Sequence, residues 1–130
     1  MNKKPGMNDR KKVLIIDDEV ELCHLLKSYF ERKEYEVVIT HTLKDGREQL
    51  QSFNPDILFL DNNLPDGSGW QMAPQIALEH PTVLITLFSG YYPKVPPMPA
   101  NAKYTVVEKP ISFADIDKNL QALMQDTANS

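Results

Sequence analysis

The chain has 130 residues, room for one domain with its own core and too few for two. Hydrophobic residues make up 42% and charged residues 25%, and the net charge of −4 argues against nucleic acid or an anionic membrane surface as the main partner, since both select clustered Lys and Arg. A single cysteine, Cys23, excludes an internal disulfide, and no apolar run has membrane-spanning or signal-peptide character, so the sequence reads as a small cytoplasmic domain.

Residues 1–11 are polar, with a Pro-Gly pair and the only local basic excess, and read as a flexible arm. The domain is expected over 12–124, with 125–130 as a tail. KVLIID (12–17) is a β-branched apolar run of the kind buried on both faces of a parallel sheet. From Glu19 to Arg32, Leu22, Leu25, Leu26, Tyr29 and Phe30 recur at helical spacing. YEVVITH (35–41) is the second strand. A helix over 42–53 follows, with Thr42 as its N-cap, Leu43, Leu50 and Phe53 inward, and Gly46 as a weak point.

NPDILFLD (54–61) is a third strand ending in a carboxylate, and NNLPDGSG is a loop rich in turn formers. Trp70 to Glu79 reads as a helix that Pro74 should kink or delay. PTVLITLFS and KYTVVEK are strands four and five. The last helix runs over 111–124, with Ser112 as its cap and Phe113, Ile116, Leu120 and Leu123 on one face. Strands alternating with helices imply a doubly wound parallel sheet with right-handed crossovers, which binds ligands at the carboxyl ends of its strands.

Those ends carry Asp17, Asp18 and Glu19 after strand one, Asp61 after strand three, Ser89 after strand four and Lys109 after strand five. Any one of these alone is more often a loop residue or a helix cap. Together they place acids, a hydroxyl and an ammonium on one edge. Crowded carboxylates repel unless a cation joins them, and Mg²⁺ suits an all-oxygen set that also meets phosphate. Ser89 and Lys109 can both reach a phosphoryl oxygen, so the set has the parts for phosphoryl transfer to a carboxylate.

IDDE, LDNNLPDGSG, the Ser-Gly after strand four and the EKP after strand five resemble the receiver domain of two-component response regulators, over about residues 12–124. The resemblance implies a flavodoxin-like, five-stranded sheet of order 2-1-3-4-5. It implies that Asp61 accepts a phosphoryl group from a phosphohistidine on a sensor histidine kinase or histidine phosphotransfer protein. Asp18, Asp61 and the backbone carbonyl of Asn63 would hold Mg²⁺, with Asp17 acting through a metal-bound water. Lys109 would pair with the phosphoryl group, Ser89 would move to hydrogen-bond it, and Pro110 would follow a cis peptide. Such a domain is a phosphoacceptor with limited self-phosphorylation and self-dephosphorylation, not a conventional enzyme.

The sequence departs from that family at its readout. Pro93, Pro96, Pro97 and Pro99 exclude a regular fourth helix and favour an extended, polyproline-like loop. Val106 stands where the family's mobile Tyr or Phe is expected. The 89–110 face is therefore expected to meet an unknown downstream protein in an unusual way, since no DNA-binding or enzymatic segment is read after 124. SGYY at 89–92 also has an imperfect likeness to receivers with a Phe-Ala-Thr-Gly-Tyr signature.

Three rivals stand beside this reading. A phosphorelay intermediate or phosphate sink would exchange phosphoryl groups rapidly with a histidine phosphotransfer protein. A Mg²⁺-dependent phosphohydrolase would need an acid two residues after Asp61, where the chain has Asn63. A phosphorylation-independent adaptor would not need the intact acid and lysine set. His24, His41 and His80 form no ligand spacing and read as surface or capping residues. Cys23 and Trp70 read as packing residues, and Tyr91 and Tyr92 as a gate or a docking element.

Overall fold

The structure, a computed structural model, describes residues 10–90, 94–110 and 112–129, with side chains to residue 122. Tyr91, Tyr92 and the first of the four prolines, Pro93, lie outside the described residues, as do Ile111 and the side chain of Leu123.

The chain runs β1 (Lys12–Ile16), α1 (Val20–Arg32), β2 (Glu36–Thr40), α2 (Leu43–Ser52) and β3 (Ile57–Asp61). A two-residue hairpin, β4 (Asn63–Leu64) with β5 (Gly67–Ser68), leads into α3 (Gly69–Glu79), β6 (Leu84–Ser89), β7 (Lys103–Glu108) and α4 (Phe113–Asn129). The large sheet is all parallel with order β2-β1-β3-β6-β7, which is 2-1-3-4-5 once the hairpin is set aside. Alternate strand residues point to opposite faces. Val13, Ile15, Phe59 and Phe88 meet Leu26 and Phe30 of α1 and Ile116 and Leu120 of α4. Leu14, Ile16, Leu58, Leu60, Ile85 and Leu87 meet Leu50 of α2 and Trp70, Ala73 and Ile76 of α3. Asp61, Ser89 and the residues after β1 and β7 therefore emerge at one edge.

Local chemistry explains the element starts. Thr42 Oγ1 accepts from Asp45 N (3.1 Å) and caps α2, and Ser112 Oγ does the same for α4 with Asp115 N (3.3 Å). Gly46 is a close-approach residue: a Cβ there would sit 2.4 Å from Ile16 Cδ1, so its small size lets α2 lie on β1. α3 starts at Gly69, before Pro74, because Ser68 Oγ accepts from Gln71 N (3.3 Å) and caps it there. Pro74 then sits inside the helix, where it forgoes one i−4 bond to Trp70. Leu25 of α1 is exposed, a correction to the inward stripe expected of it: Leu22, Leu26, Tyr29 and Phe30 carry the packing face. α4 continues past residue 124 to Asn129, since neither Gly nor Pro interrupts QALMQDTAN.

Between β6 and β7, Lys94 to Pro99 are neither helix nor strand, and Ala100 and Asn101 form a turn. Lys94, Pro97 and Ala100 are exposed, while the residues between them are partly covered. That three-residue period is the period of a polyproline II helix. Val95, Met98 and Ala102 pack with Val106 against the α3-side core. No described helix is long and apolar enough to cross a membrane.

Gly69 joins fold to site. Its N–H donates to Asn62 O (2.9 Å), and a Cβ would fall 1.9 Å from the backbone oxygen of Asp61. Gly69→Ala is expected to cost about 3 kcal/mol or more, because the clash is with backbone that cannot turn aside. Chemical denaturation of the two proteins measures the loss, and equal midpoints would show that α3 can shift freely.

Candidate functional site

Four strand ends build the site. Asp17 follows β1 and is fully buried; its Oδ1 accepts from Glu19 N (2.7 Å). Its backbone is held as firmly: Asp17 N donates to Thr40 O (3.1 Å), while Asp17 O accepts from His41 Nδ1 (2.8 Å) and Cys23 Sγ (3.3 Å). Asp61 closes β3, buried, with Oδ1 accepting from Asn62 N (2.9 Å). Asp18 is exposed, yet Asp17, Asp18 and Asp61 each offer a carboxylate oxygen, and these lie within 4.8 Å of one another.

Lys109 comes in from the end of β7, tied to β6 by its own N–H donating to Ser89 O (2.9 Å). The Lys109–Pro110 peptide is cis. Its ammonium pairs with Asp17 Oδ2 (3.1 Å), Asp61 Oδ1 (3.4 Å) and the Glu19 carboxylate, and lies 5.1 Å from the centre of the Phe88 ring. Ser89 is buried beside it, and its Oγ has no hydrogen-bond partner among the described residues. A buried hydroxyl left without a partner costs free energy, so Ser89 stands ready for an acceptor brought to this edge.

The electrostatics follow from crowding. Burial pushes the Asp61 carboxyl up to about 6, and the negative charge of Asp17 adds to the rise, against the pull of Lys109. Burial raises Asp17 as well, opposed by the Glu19 N–H and by Lys109. For Lys109, burial favours the neutral amine. Its hydrogen bonds to Glu19 and Asp17, with the attraction of Asp17 and Asp61, outweigh this and hold the ammonium above its ordinary pKa. Three oxygen donors with excess negative charge fit a hard divalent cation of the Mg²⁺ type.

The structure thus brings Asp17, Asp18, Asp61 and Lys109 together and sets Ser89 on the adjacent strand end. Asn63 is exposed in the hairpin two residues beyond Asp61. His24 is exposed, and His80 is the C-cap residue of α3. Cys23 and Trp70 are buried. Sequence reasoning missed two supports of the site. Asp66 reaches from the hairpin turn to the start of α2, accepting from Leu43 N (2.8 Å) and Lys44 N (3.0 Å), and these bonds hold its pKa below the usual carboxylate value. Gly69 is the other, eight residues after Asp61 at the end of the turn-rich NNLPDGSG stretch, and no local pattern marked its approach to the Asp61 backbone.

A doubly wound parallel sheet with an acidic, lysine-bridged pocket at its carboxyl edge is the class of domain defined here. The chain belongs to the response regulator receiver domain family, which it matches over residues 13–121, and so to two-component signalling. It is 29% identical over 116 residues to the response regulator ArlR of Staphylococcus saprophyticus, covering 88% of this chain and 52% of that protein. The chain spans about half the length of the curated relatives it matches first. A CheY-like receiver domain from Methanospirillum hungatei has the same fold, with a TM-score of 0.78 and 22% identity, covering 93% of this chain and 99% of that one. The response regulator TrrA of Thermotoga maritima, solved in complex with Mg²⁺ and beryllofluoride, matches with a TM-score of 0.75 and 24% identity, covering 87% and 98%.

The raised Asp61 has a consequence for stability. Folded, it holds its proton up to about pH 6; unfolded, only to about 3.8. Between those values the fold binds more protons than the unfolded chain, so stability falls as pH rises through the window. In EDTA at pH 7.5, Asp61→Asn is expected to raise unfolding free energy by about 1–3 kcal/mol, a gain that fades as pH approaches 4. Urea titrations at the two pH values measure this, and a variant no more stable than wild type at pH 7.5 would contradict it.

Proposed function

We propose that this domain accepts a phosphoryl group on Asp61 from a phosphohistidine donor, a sensor histidine kinase or a histidine phosphotransfer protein, and converts it into a change at a protein-binding surface. One observation carries the reading: Lys109 bridges the buried Asp17 and Asp61 beside a Ser89 hydroxyl that has no hydrogen-bond partner among the described residues. The reaction is a displacement at phosphorus. An Asp61 oxygen forms the new P–O bond while the P–N bond of the donor breaks, and its electron pair leaves with the imidazole. Asp18, Asp61 and the Asn63 backbone carbonyl would hold Mg²⁺, with Asp17 acting through a water. Bound there, the ion supplies neutralisation of phosphoryl charge.

Lys109 orients the transferred group and offsets its charge, its ammonium held against the buried carboxylates of Asp17 and Asp61. Ser89 then gains the acceptor it lacks, which draws the end of β6 toward the acyl phosphate. Ser89 closes β6, and beyond Gly90 the described chain resumes at Lys94 within the proline-rich stretch. The absence of helix or strand over Lys94–Pro99 supports reading the 89–110 face, with β7, as the one that meets a downstream protein.

Two outcomes test this. Incubated with Mg²⁺ and acetyl phosphate, whose acetate leaves with the P–O electrons, the wild type should gain one phosphoryl group by intact-protein mass spectrometry, and Asp61→Asn none. Labelling of the variant at wild-type rate would remove Asp61 from the role. Hydrogen exchange with and without Mg²⁺ and beryllofluoride should change at Val95, Met98 and Ala102; identical exchange there would sink the readout assignment.

A further inference from the structure

We infer that Glu19 is a positioning residue for phosphoryl transfer: it holds the Lys109 ammonium in the resting state and must release it when a phosphoryl group arrives. The inference rests on the phosphoacceptor reading of Asp61. Glu19 is the N-cap residue of α1, yet its side chain makes no capping bond. Its carboxylate instead pairs with the Lys109 ammonium, alongside Asp17 at 3.1 Å and Asp61 at 3.4 Å. Its backbone is anchored, since Glu19 N donates to Asp17 Oδ1 at 2.7 Å. The side chain can therefore swing while its stem stays in place.

The three carboxylates differ in their freedom to move. The Asp17 and Asp61 side chains are 0% and 5% exposed, and moving either disrupts the pocket. Glu19 is 57% exposed and regains water on leaving, so its pairing with Lys109 is the weak, replaceable one. A phosphoryl group on Asp61 presents oxygens to the same ammonium and repels the Glu19 carboxylate. Both effects favour exchange of partners. Until then, Glu19 competes with the incoming group for the Lys109 ammonium. The cost of dislodging it falls on every phosphorylation event.

Glu19→Gln removes the competing charge while keeping nearly the same shape. With Mg²⁺, the variant is expected to bind beryllofluoride three- to tenfold more tightly than wild type, about 0.6–1.4 kcal/mol. A second readout is NMR of the Lys109 Cε and Nζ resonances, first in EDTA and then with Mg²⁺ and beryllofluoride. These should differ between wild type and Glu19→Gln in the free state and coincide once both carry Mg²⁺ and beryllofluoride, because Lys109 has then left Glu19 in the wild type too. Unchanged free-state resonances, a difference that persists in the bound state, or equal affinities would overturn the inference alone. A wild type that binds no beryllofluoride would overturn the phosphoacceptor reading and this inference with it.

Discussion

The ammonium of Lys109 among the carboxylates of Asp17, Asp61 and Glu19 is the interaction on which the rest of this structure depends. Two buried acids a few ångströms apart would drive each other toward the neutral form, and a protonated Asp61 is no nucleophile. One cation shared between them keeps the pocket ionisable while leaving negative charge in excess. The parallel sheet makes this possible because β1, β3, β6 and β7 all end on the same edge. The bond from Lys109 N to Ser89 O then holds the last two strand ends together, so the lysine and the serine keep a common frame.

Around that pocket, helix beginnings hold the loops. Asp66 satisfies two N–H groups at the start of α2, and Ser68 one at the start of α3. Ser68 also donates its hydroxyl to Asn62 Oδ1 (2.5 Å), and Gly69 N donates to Asn62 O. The turn after Asp61 is thus held to α2 and α3 at once. Helix N-termini need acceptors in any case, and here the acceptors are loop residues of the turn that follows Asp61. Removing a cap would loosen the loop as well as the helix.

The parts of the site that lie on strand ends were legible because strand and helix periods differ and because an acid after an apolar run is conspicuous. Asp17, Asp18, Asp61, Ser89 and Lys109 all fall in that class. The rest depends on contacts between distant residues. Asp66 caps a helix that begins 23 positions earlier, as its bond to Leu43 records, and no local pattern signals that. Gly46 looked like a defect in α2 until its approach to Ile16 was seen. Leu25 fits a helical apolar period as well as Leu26 does, but the stripe is narrow and only one of the two faces the sheet. Glu19 was visible as an acid, yet its pairing required β7 to lie beyond β6 in the sheet.

The segment before β7 has a different mechanical character from a helix. A helix is stiff through its own hydrogen bonds, whereas a polyproline strut has none and is stiff because its prolines fix φ. Here the segment is held by Val95, Met98 and Ala102 against the α3-side core, and Ala102 N donates to Pro99 O (3.0 Å) to close the turn into β7. Val106 belongs to the same cluster, and a β-branched residue has too little reach to swing between core and solvent as a mobile aromatic does. Tyr104, the aromatic of β7, is already 38% exposed. On the proposed readout, a shift of β6 would reach Val95 and Met98 through the core cluster they share with Leu87 and Val106.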